Sequence, residues 1–223
     1  MKYNNIVTAR FISRKNRFVS SVLLDGEEIL CHVKNTGRLR ELLQKDATVY
    51  LEKSNNPDRK TAYDLVAVRK DGKLFNIDSF APNLAAKAYL EKLFPDSIVK
   101  AEVRYGSSRF DFFVEGKDKK AFVEVKGVTL LKDGVELFPD APTERGVKHM
   151  KELISCIGNG FDAYILFVIQ TADVKAFSPN AETHQLFAET LKKAESHGVK
   201  ILAVNCIVTE DEMIIDKNVK VIL

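Results

Sequence analysis

The sequence predicts a mixed α/β fold in two parts, a β-rich N-terminal domain over residues 1–80 and a C-terminal domain over residues 81–223. Short alternating apolar runs fill the first part, whereas helical and strand periods alternate in the second. The chain has 223 residues, 45% of them hydrophobic. A chain of this size and composition can bury one large core or two small ones.

Six strands are predicted in the N-terminal domain, because runs rich in β-branched and aromatic residues are separated by turn residues. Asp25-Gly26 and Asp71-Gly72 are typical of two-residue hairpin turns. A short helix is predicted at 38–43, between the third and fourth strands, where an oligonucleotide-binding (OB) barrel carries its helix. We therefore expect an OB-like barrel with an exposed polar loop at 54–60 and strands at 6–13, 18–24, 28–33, 47–53, 63–69 and 73–78.

The C-terminal domain begins with a predicted helix at 82–94, with Ser79 as a start signal and Leu84, Ala88 and Leu93 facing the core. Further helices are predicted from Thr143 and over 182–197. Strands are predicted at 98–104, 109–114, 121–126, 163–170 and 200–208.

The helix from Thr143 is predicted to be amphipathic. Its apolar stripe, at helical spacing, consists of Val147, Met150, Ile154 and Ile157. The opposite, solvent-facing side is predicted to carry Arg145, Lys148, His149 and Glu152.

Composition narrows the function classes. The net charge is only +3, so a nucleic-acid surface must come from local clusters of basic residues. The three cysteines lie far apart without a C-x-x-C pair, which favours reduced thiols in the cytoplasm. No apolar run approaches the roughly 18 residues of a membrane span, and the N-terminus has no apolar leader pattern. We expect a cytoplasmic protein.

The most informative segment is a predicted hairpin with its turn at 116–119. A turn centred between Lys117 and Asp118 pairs residues whose numbers sum to 235. One face is then wholly apolar, and this fixes the register, since a slip by one residue would turn that face outward. The apolar pairs are Phe110 with Val125, Phe112 with Val123, and Val114 with Ala121.

The same register sets Asp111 opposite Glu124, with Lys126 on the same side and opposite Arg109. Like charges directly across a strand pair destabilise it. Two carboxylates suit a hard cation such as Mg²⁺ or Mn²⁺, and a neighbouring lysine can counter the charge that develops on a phosphate. The alternative is a solvated face with ordinary cross-strand ion pairs.

The pattern D-x12-E-x-K on a hairpin resembles the catalytic core of the PD-(D/E)XK nuclease superfamily. That resemblance implies Asp111 and Glu124 as metal ligands and Lys126 as the catalytic lysine. Phe113 and Phe122 share the site face and are expected to pack under the covering helices.

Four segments together resemble the sugar fermentation stimulation protein A (SfsA) family over nearly the whole chain: HVKNTGRL at 32–39, RYGSSRFD at 104–111, FVEVKGVT at 122–129 and FPDAPTERGVKH at 138–149. The resemblance implies a DNA-binding protein linked to regulation of sugar use, with an OB-like domain joined to a PD-(D/E)XK nuclease-like domain. One departure concerns the loop contacts: Val33-Lys34 follows His32, where many members have Cys-Pro.

Candidate phosphate contacts flank the hairpin. Arg145, Lys148 and His149 lie near a helix start, where the dipole favours anions, although a solvated face is the alternative. His149 is also compatible with general acid work on a leaving oxygen. Arg104 and Arg109 add positive charge, with Ser107 and Ser108 more suited to a turn.

Four residues of the first family segment, His32, Asn35, Thr36 and Arg38, are candidate contacts to the sugar-phosphate backbone, although a plain turn explains them too. Asp140 is either a helix cap or a third carboxylate of the site.

These patterns predict a protein that binds DNA through its backbone with low sequence specificity and carries a Mg²⁺-dependent phosphodiester-hydrolysing site. One alternative is a non-enzymatic DNA-binding regulator with an idle nuclease-like site. Another is a barrel that binds RNA or free nucleotides.

Overall fold

The structure, a computed structural model, describes residues 1–223. The first 76 residues contain six strands in the order β3-β2-β1-β4-β5-β6, and an additional parallel pairing of β3 with β5 closes the first five into a barrel. The predicted OB-like barrel is confirmed. Its strands are β1 (Ile6–Arg14), β2 (Val19–Leu24), β3 (Glu27–Val33), β4 (Thr48–Lys53), β5 (Tyr63–Lys70) and β6 (Lys73–Asn76).

The two predicted hairpin turns are present. Asp25 and Gly26 have φ of 50° and 87°, and Asp71 and Gly72 have φ of 50° and 76°. Positive φ at both central residues is the conformation that a type I′ turn requires. The segment 54–60 contains no helix or strand, as predicted.

The predicted helix at 38–43 is wrong, because this segment forms a single irregular turn. Leu39 has a left-handed φ of 48°, and the amides of Leu42 and Leu43 both donate to its carbonyl oxygen, at 3.1 and 2.8 Å. All three leucines are buried in the barrel core. Their burial determines the path of the chain here, and a turn of six residues is too short for helix propensity to oppose it.

The second domain is a mixed six-stranded sheet in the order β15-β14-β12-β9-β8-β7, with helices on both faces. The strands β9, β12 and β14 run parallel. Its elements, in chain order, are α1 (Ala81–Leu93), β7 (Ile98–Tyr105), β8 (Ser108–Glu115), β9 (Lys120–Val128), β10 (Leu130–Lys132), β11 (Val135–Phe138), α2 (Glu144–Gly158), β12 (Asp162–Ile169), β13 (Ala176–Pro179), α3 (Gln185–Ser196), β14 (Lys200–Val208) and β15 (Met213–Asn218).

Two apolar cores sandwich this sheet. One lies under α2 and α3 and contains Val147, Met150 and Phe187. The other lies under α1 and contains Ala85, Leu90, Phe112 and Val123. None of the three helices has the length and apolar content that a membrane crossing requires.

The predicted core face of α1 is wrong. Leu84 and Leu93 are 56% and 42% exposed, and Ala88 is exposed as well. Small residues pack against the sheet instead, which allows the helix to approach closely; the buried positions are Ala81, Pro82, Ala85, Ala86 and Leu90. Ser79 does not cap the helix either: the N-cap is Phe80, and it makes no side-chain cap hydrogen bond.

The small sheet β10-β11-β13 and the edge strand β15 were not predicted; the strands of the small sheet have only three or four residues each. The small sheet helps to join the domains, because Leu131 packs against the barrel core. Gln170 strengthens the junction by donating from Nε2 to the carbonyl oxygens of Asn76 (3.1 Å) and Asp78 (3.2 Å). The linker between the domains is therefore held by hydrogen bonds at both ends.

Candidate functional site

The β8–β9 hairpin has the predicted register up to a definite point. Residues pair with numbers summing to 235 at Phe112–Val123, Phe113–Phe122 and Val114–Ala121. The ladder ends there, one position short of the predicted Asp111–Glu124 pair, so that pair is not part of the ladder. The backbone amide of Val125 donates instead to Asp111 Oδ2, at 2.7 Å. A side chain thus takes the place of a backbone partner where the strands separate.

The predicted apolar face is interrupted at the same place. Phe110 does not lie with Phe112 and Val114. It belongs to the core under α2, where its ring is 5.5 Å from that of Phe122. On the neighbouring strand β7, Glu102 has a left-handed φ of 60° between the paired positions Ala101–Phe112 and Val103–Phe110. The prediction assumed that side chains alternate strictly between the two faces of the strand, and this was wrong here. The pairing of β8 is irregular next to Asp111 on both neighbouring strands, β7 and β9.

Asp111 is held from two directions. Besides the amide of Val125, its Oδ1 accepts a hydrogen bond from Asn83 Nδ2 of α1, at 2.8 Å. Burial and the nearby charge of Glu124 raise the pKa of Asp111, and the hydrogen bonds and Lys126 offset this only in part. The negative charge of Glu124 thus acts on Asp111, and the two carboxylates repel each other.

Glu124 is 2% exposed, and its two carboxylate oxygens have different surroundings. Its Oε1 contacts His149 Nδ1 at 2.5 Å and the Lys126 ammonium. Its Oε2 is buried without any hydrogen-bond partner. Burial opposes ionisation of Glu124, but Lys126 and His149 outweigh it, so the pKa of this carboxyl lies below its ordinary value. The result is a buried anion with one oxygen left free.

His149 is not on the solvated face of α2 where the sequence predicted it. The residue is 4% exposed, and its ring packs edge-on against Phe110, with ring centroids 5.9 Å apart. Its Nε2 accepts from Arg145 Nε at 3.3 Å, which leaves Nδ1 as the donor to Glu124. His149 therefore links Arg145 to the buried carboxylate rather than facing an incoming phosphate.

The residues present fit a Mg²⁺-like cation. Nowhere in the chain do three or more His, Cys, Asp or Glu side chains form a ready-made metal cage. Mg²⁺ does not need one, because it is commonly held by one or two carboxylates and completes its shell with waters and phosphate oxygens. Asp111 and the free Oε2 of Glu124 provide such a pair of oxygen ligands.

A basic cavity of about 460 Å³ lies beside the buried His149. Arg109 and Lys148 are exposed at its wall. Arg109 forms an ion pair with Glu102 at 2.6 Å, and Lys148 donates a hydrogen bond to the Ser107 carbonyl. No acidic partner lies within ion-pair distance of Arg145. The predicted Arg104 is exposed on β7, paired across the ladder with Arg109, but it does not line this cavity. The lining consists of Ser107, Ser108, Arg109, Glu144, Arg145, Lys148 and His149.

Two of the four candidate residues in the barrel are occupied by internal contacts. His32 Nδ1 lies 3.0 Å from Asp64 Oδ1. Burial opposes ionisation of Asp64, yet Arg59 and Lys34 hold its pKa at about 2. Asn35 accepts from the Gly37 amide (2.7 Å) and donates to a backbone carbonyl of the linker, as a turn residue would.

Thr36 and Arg38 are exposed, and they lead to an arginine-rich cavity that the sequence reasoning missed. This arginine cavity, about 350 Å³, is lined by Arg14, Arg17, Arg38 and Arg40 and by no acidic residue. Arg14 organises it by donating to four backbone carbonyls, those of Arg17, Asn35, Gly37 and Arg38. The sequence contains two short basic segments, 14–17 and 38–40, but only the fold brings them together.

A third cavity, of about 330 Å³, lies between the domains. Thr36 and Gly37 line both this interdomain cavity and the arginine cavity. Gly127, next to Lys126, also lines the interdomain cavity. Asp140 also lines it. Asp140 is not the cap of α2, because Thr143 Oγ1 accepts from the Gly146 amide at 3.1 Å. The arginine cavity and the interdomain cavity are thus adjacent, and the second one reaches the strand β9 that carries Glu124 and Lys126.

Comparison with known proteins agrees with this architecture. Residues 12–77 match the family model described as "SfsA N-terminal OB domain", and residues 79–212 match "Sugar fermentation stimulation protein RE domain". A "Sugar fermentation stimulation protein homolog" of Clostridium beijerinckii is 53% identical over 226 residues, covering all of both chains. A homolog of the same name from Desulfitobacterium hafniense is 52% identical, covering 96% of this chain and 94% of its own.

Among solved structures, "The structure of Pyrococcus Furiosus SfsA in complex with Ca2+" matches with a TM-score of 0.88 and 30% identity. The match covers 100% of this chain and 98% of the other. The resemblance inferred from the four sequence segments is confirmed, and the chain belongs to the sugar fermentation stimulation protein (SfsA) family.

Proposed function

We propose that the protein binds DNA with little sequence specificity and hydrolyses phosphodiester bonds at a Mg²⁺-dependent site formed by Asp111, Glu124 and Lys126. The observation that carries this proposal is the free Oε2 of a buried Glu124 beside the half-buried carboxylate of Asp111. A buried charged oxygen without a partner is costly unless a cation or donor completes it. A divalent ion would complete it and remove the repulsion between the two acids.

The chemistry follows from the residue types. A divalent cation bound there would neutralise phosphate charge and lower the pKa of a water for attack on phosphorus. Lys126, 16% exposed, is the cation of this chain nearest to Glu124 and would stabilise the charge that develops on the phosphate. Asn83 and His149 orient the two carboxylates from opposite helices.

DNA affinity is assigned to the basic cavities. Arg17, Arg38 and Arg40 have no acidic partner within ion-pair distance, and guanidinium groups suit phosphate well. Contacts of this kind give affinity without sequence information and make binding salt-sensitive. The same reasoning applies to Arg145 and Lys148 on the other side of the site.

The relatives support two parts of the proposal. The related Pyrococcus furiosus protein was solved in complex with Ca²⁺, a cation that also takes oxygen ligands. The relatives are named for stimulation of sugar fermentation, which supports a role in sugar use, whereas the proposed DNA binding rests on the basic cavities. We assign the protein to the cytoplasm, because its three cysteines are free and buried.

One observation favours the alternative, a DNA-binding regulator with an idle site. The Lys126 ammonium contacts Glu124 Oε1 and so compensates part of the charge without a metal. On this alternative, DNA binds equally well with and without divalent ions, and the site carries no turnover.

Metal binding and cleavage are best tested separately. The midpoint of thermal unfolding is followed as Mg²⁺, Mn²⁺ or Ca²⁺ is added to wild type, Asp111→Asn and Asp118→Asn. Asp118, exposed in the turn of the same hairpin, is the matched control. At 100 times the dissociation constant, a bound ion stabilises the folded state by about 2.7 kcal/mol. We expect this gain in wild type and Asp118→Asn, and its loss in Asp111→Asn.

Cleavage is then measured on labelled single-stranded, duplex and branched DNA with Mg²⁺ or Mn²⁺. Wild type and Asp118→Asn should cut, whereas Asp111→Asn and Lys126→Met should not. Metal-dependent stabilisation without cleavage by wild type would refute hydrolysis and favour the idle site. Equal cleavage by wild type and Asp111→Asn would rule out the proposed centre. Competition by transfer RNA against DNA in a gel-shift assay tests the RNA-binding alternative.

A further inference from the structure

An exposed aromatic side chain stands at the junction of the two domains. Phe80 is 68% exposed, the highest value among the large apolar side chains, and Leu84, one helical turn later, is 56% exposed. Apolar residues at both positions leave an unpartnered apolar strip along the beginning of α1. The buried face of this helix consists of Ala81, Pro82, Ala85, Ala86 and Leu90, so the strip contributes nothing to the core.

The backbone that presents Phe80 is held by hydrogen bonds to both domains. The Phe80 amide donates to Asp78 Oδ1 at 2.9 Å, and Ser79 donates from both its amide (3.0 Å) and its hydroxyl (2.6 Å) to the carbonyl of Lys34 in the barrel. Gln170 Nε2 holds the Asp78 carbonyl from the other domain. An aromatic ring on such a support loses little conformational entropy when it binds a ligand.

The strip begins next to the interdomain cavity and close to the carboxylate pair. Ser79, the residue before Phe80, lines the interdomain cavity. Asn83, one turn after Phe80, donates to Asp111 of the carboxylate pair. The only charged side chain that lines the interdomain cavity is Asp140, but the arginine cavity adjoins it at Thr36 and Gly37, and a second basic cavity lies beside α2. Cations on these two sides favour a polyanion over an apolar peptide or a lipid.

The type of nucleic acid follows from what an aromatic ring can contact. In a duplex the faces of the bases are covered by their neighbours, whereas an unpaired base offers a free face for stacking. The interdomain cavity, about 330 Å³, is at the lower end of the range for small-molecule sites. It is of a size for a nucleotide of one strand, not for a double helix.

We propose that Phe80, with Leu84 beside it, stacks on an unpaired base next to the carboxylate site, and that the protein acts on single-stranded or locally unpaired DNA. The inference rests on the proposed function and adds its substrate class. Phe80 contacts the base and takes no part in the chemistry.

The test compares affinities by fluorescence anisotropy, with Ca²⁺ in place of Mg²⁺ to keep binding apart from cleavage. The probes are one labelled 20-nucleotide strand, the same strand in a duplex, and a fork with an unpaired arm. Phe80→Ala is expected to weaken binding of the single strand and the fork by about 5- to 150-fold, the range of base–aromatic stacking, and to leave duplex binding unchanged. Phe80→Tyr should retain wild-type affinity, whereas Phe80→Leu should not.

Leu186→Ala is the matched control, since Leu186 is 45% exposed on α3 and lines none of the three cavities described above. Equal single-strand affinities for wild type and Phe80→Ala, or an equal loss for single strand and duplex, would overturn the stacking inference and leave the proposed cleavage untouched. Failure of wild type to bind any probe would instead refute the proposed DNA binding itself. A strand carrying 2-aminopurine should show quenching that depends on the aromatic ring at position 80.

Discussion

Replacement of His149 by alanine tests how the site is built. The structure buries this ring between Glu124 and Phe110, whereas a helix read by periodicity alone would leave it in solvent. Loss of a hydrogen bond to a charged group destabilises a protein by about 1.5–3 kcal/mol. The edge-on aromatic contact adds about 0.5–1.5 kcal/mol. We therefore expect His149→Ala to lower the free energy of unfolding by about 2–4.5 kcal/mol.

For a chain of this size, 1 kcal/mol shifts the melting temperature by about 2–4 °C, so the expected decrease lies between about 4 and 18 °C. The loss should also depend on pH. Burial opposes ionisation of Glu124, but Lys126 and His149 lower its pKa below the ordinary 4.5. A lowered pKa stabilises the fold above the unfolded value, and this stability is lost as the pH falls through the folded value. The difference between variant and wild type should therefore narrow in acid below about pH 4.5.

Urea unfolding at pH 7 and pH 4, followed by circular dichroism, measures both effects. Lys148→Ala is the control, because Lys148 is the exposed neighbour on the same helix and its loss should change stability by less than about 0.5 kcal/mol. A value this small for His149→Ala as well would show that the ring lies in solvent and would refute the arrangement described here.

Three further predictions test other parts of the fold. Arg14→Ala should lower the melting temperature, because four backbone carbonyls lose their hydrogen-bond donor. Arg17 is exposed, so Arg17→Ala should keep the melting temperature but weaken DNA binding and reduce the salt dependence of that binding. Glu136 is fully buried without a hydrogen-bond partner, and burial raises its pKa to about 8. The free energy of unfolding of wild type should therefore decline as the pH rises from about 4.5 through 8, and the decline should be smaller in Glu136→Gln. Urea unfolding across this pH range measures the difference. Gly127→Ala should lower the melting temperature, because the new Cβ would lie 2.6 Å from one side-chain oxygen and 2.8 Å from a proline carbon of α1, whereas Gly158→Ala meets no atom within 4 Å and should be neutral or stabilising.

Much of the fold could be predicted because local signals and packing agree. The hairpin turns Asp25-Gly26 and Asp71-Gly72 need positive φ, which their residue types supply, and the strands on either side alternate regularly. A helix was predicted to start at Thr143, and the structure shows why it does: the Thr143 hydroxyl accepts a hydrogen bond from the Gly146 amide. Turn and cap chemistry is local, so one sequence is enough to reveal it.

The errors occur where tertiary contacts override local pattern. Leucines at helical spacing in the 38–43 segment became a turn, since all of them enter the barrel. On α1 the small residues were buried and the large Leu84 was exposed, because the sheet beneath was already filled by its own apolar side chains. No hydrophobic scale contains that information. The arginine cavity escaped prediction for a similar reason, as its two basic segments meet only in the closed barrel.

The carboxylate site depends on one of these departures from regularity. If the hairpin had continued in its predicted register, Asp111 and Glu124 would have been ladder neighbours with no space between the strands. The ladder ends at Phe112 instead, and Asp111 takes the free amide of Val125. Helix α1 then reaches Asp111 through Asn83, while α2 reaches Glu124 through His149. The two acids are thus held by separate helices on opposite faces of one sheet, which keeps them close despite their repulsion and leaves Glu124 Oε2 free for a cation.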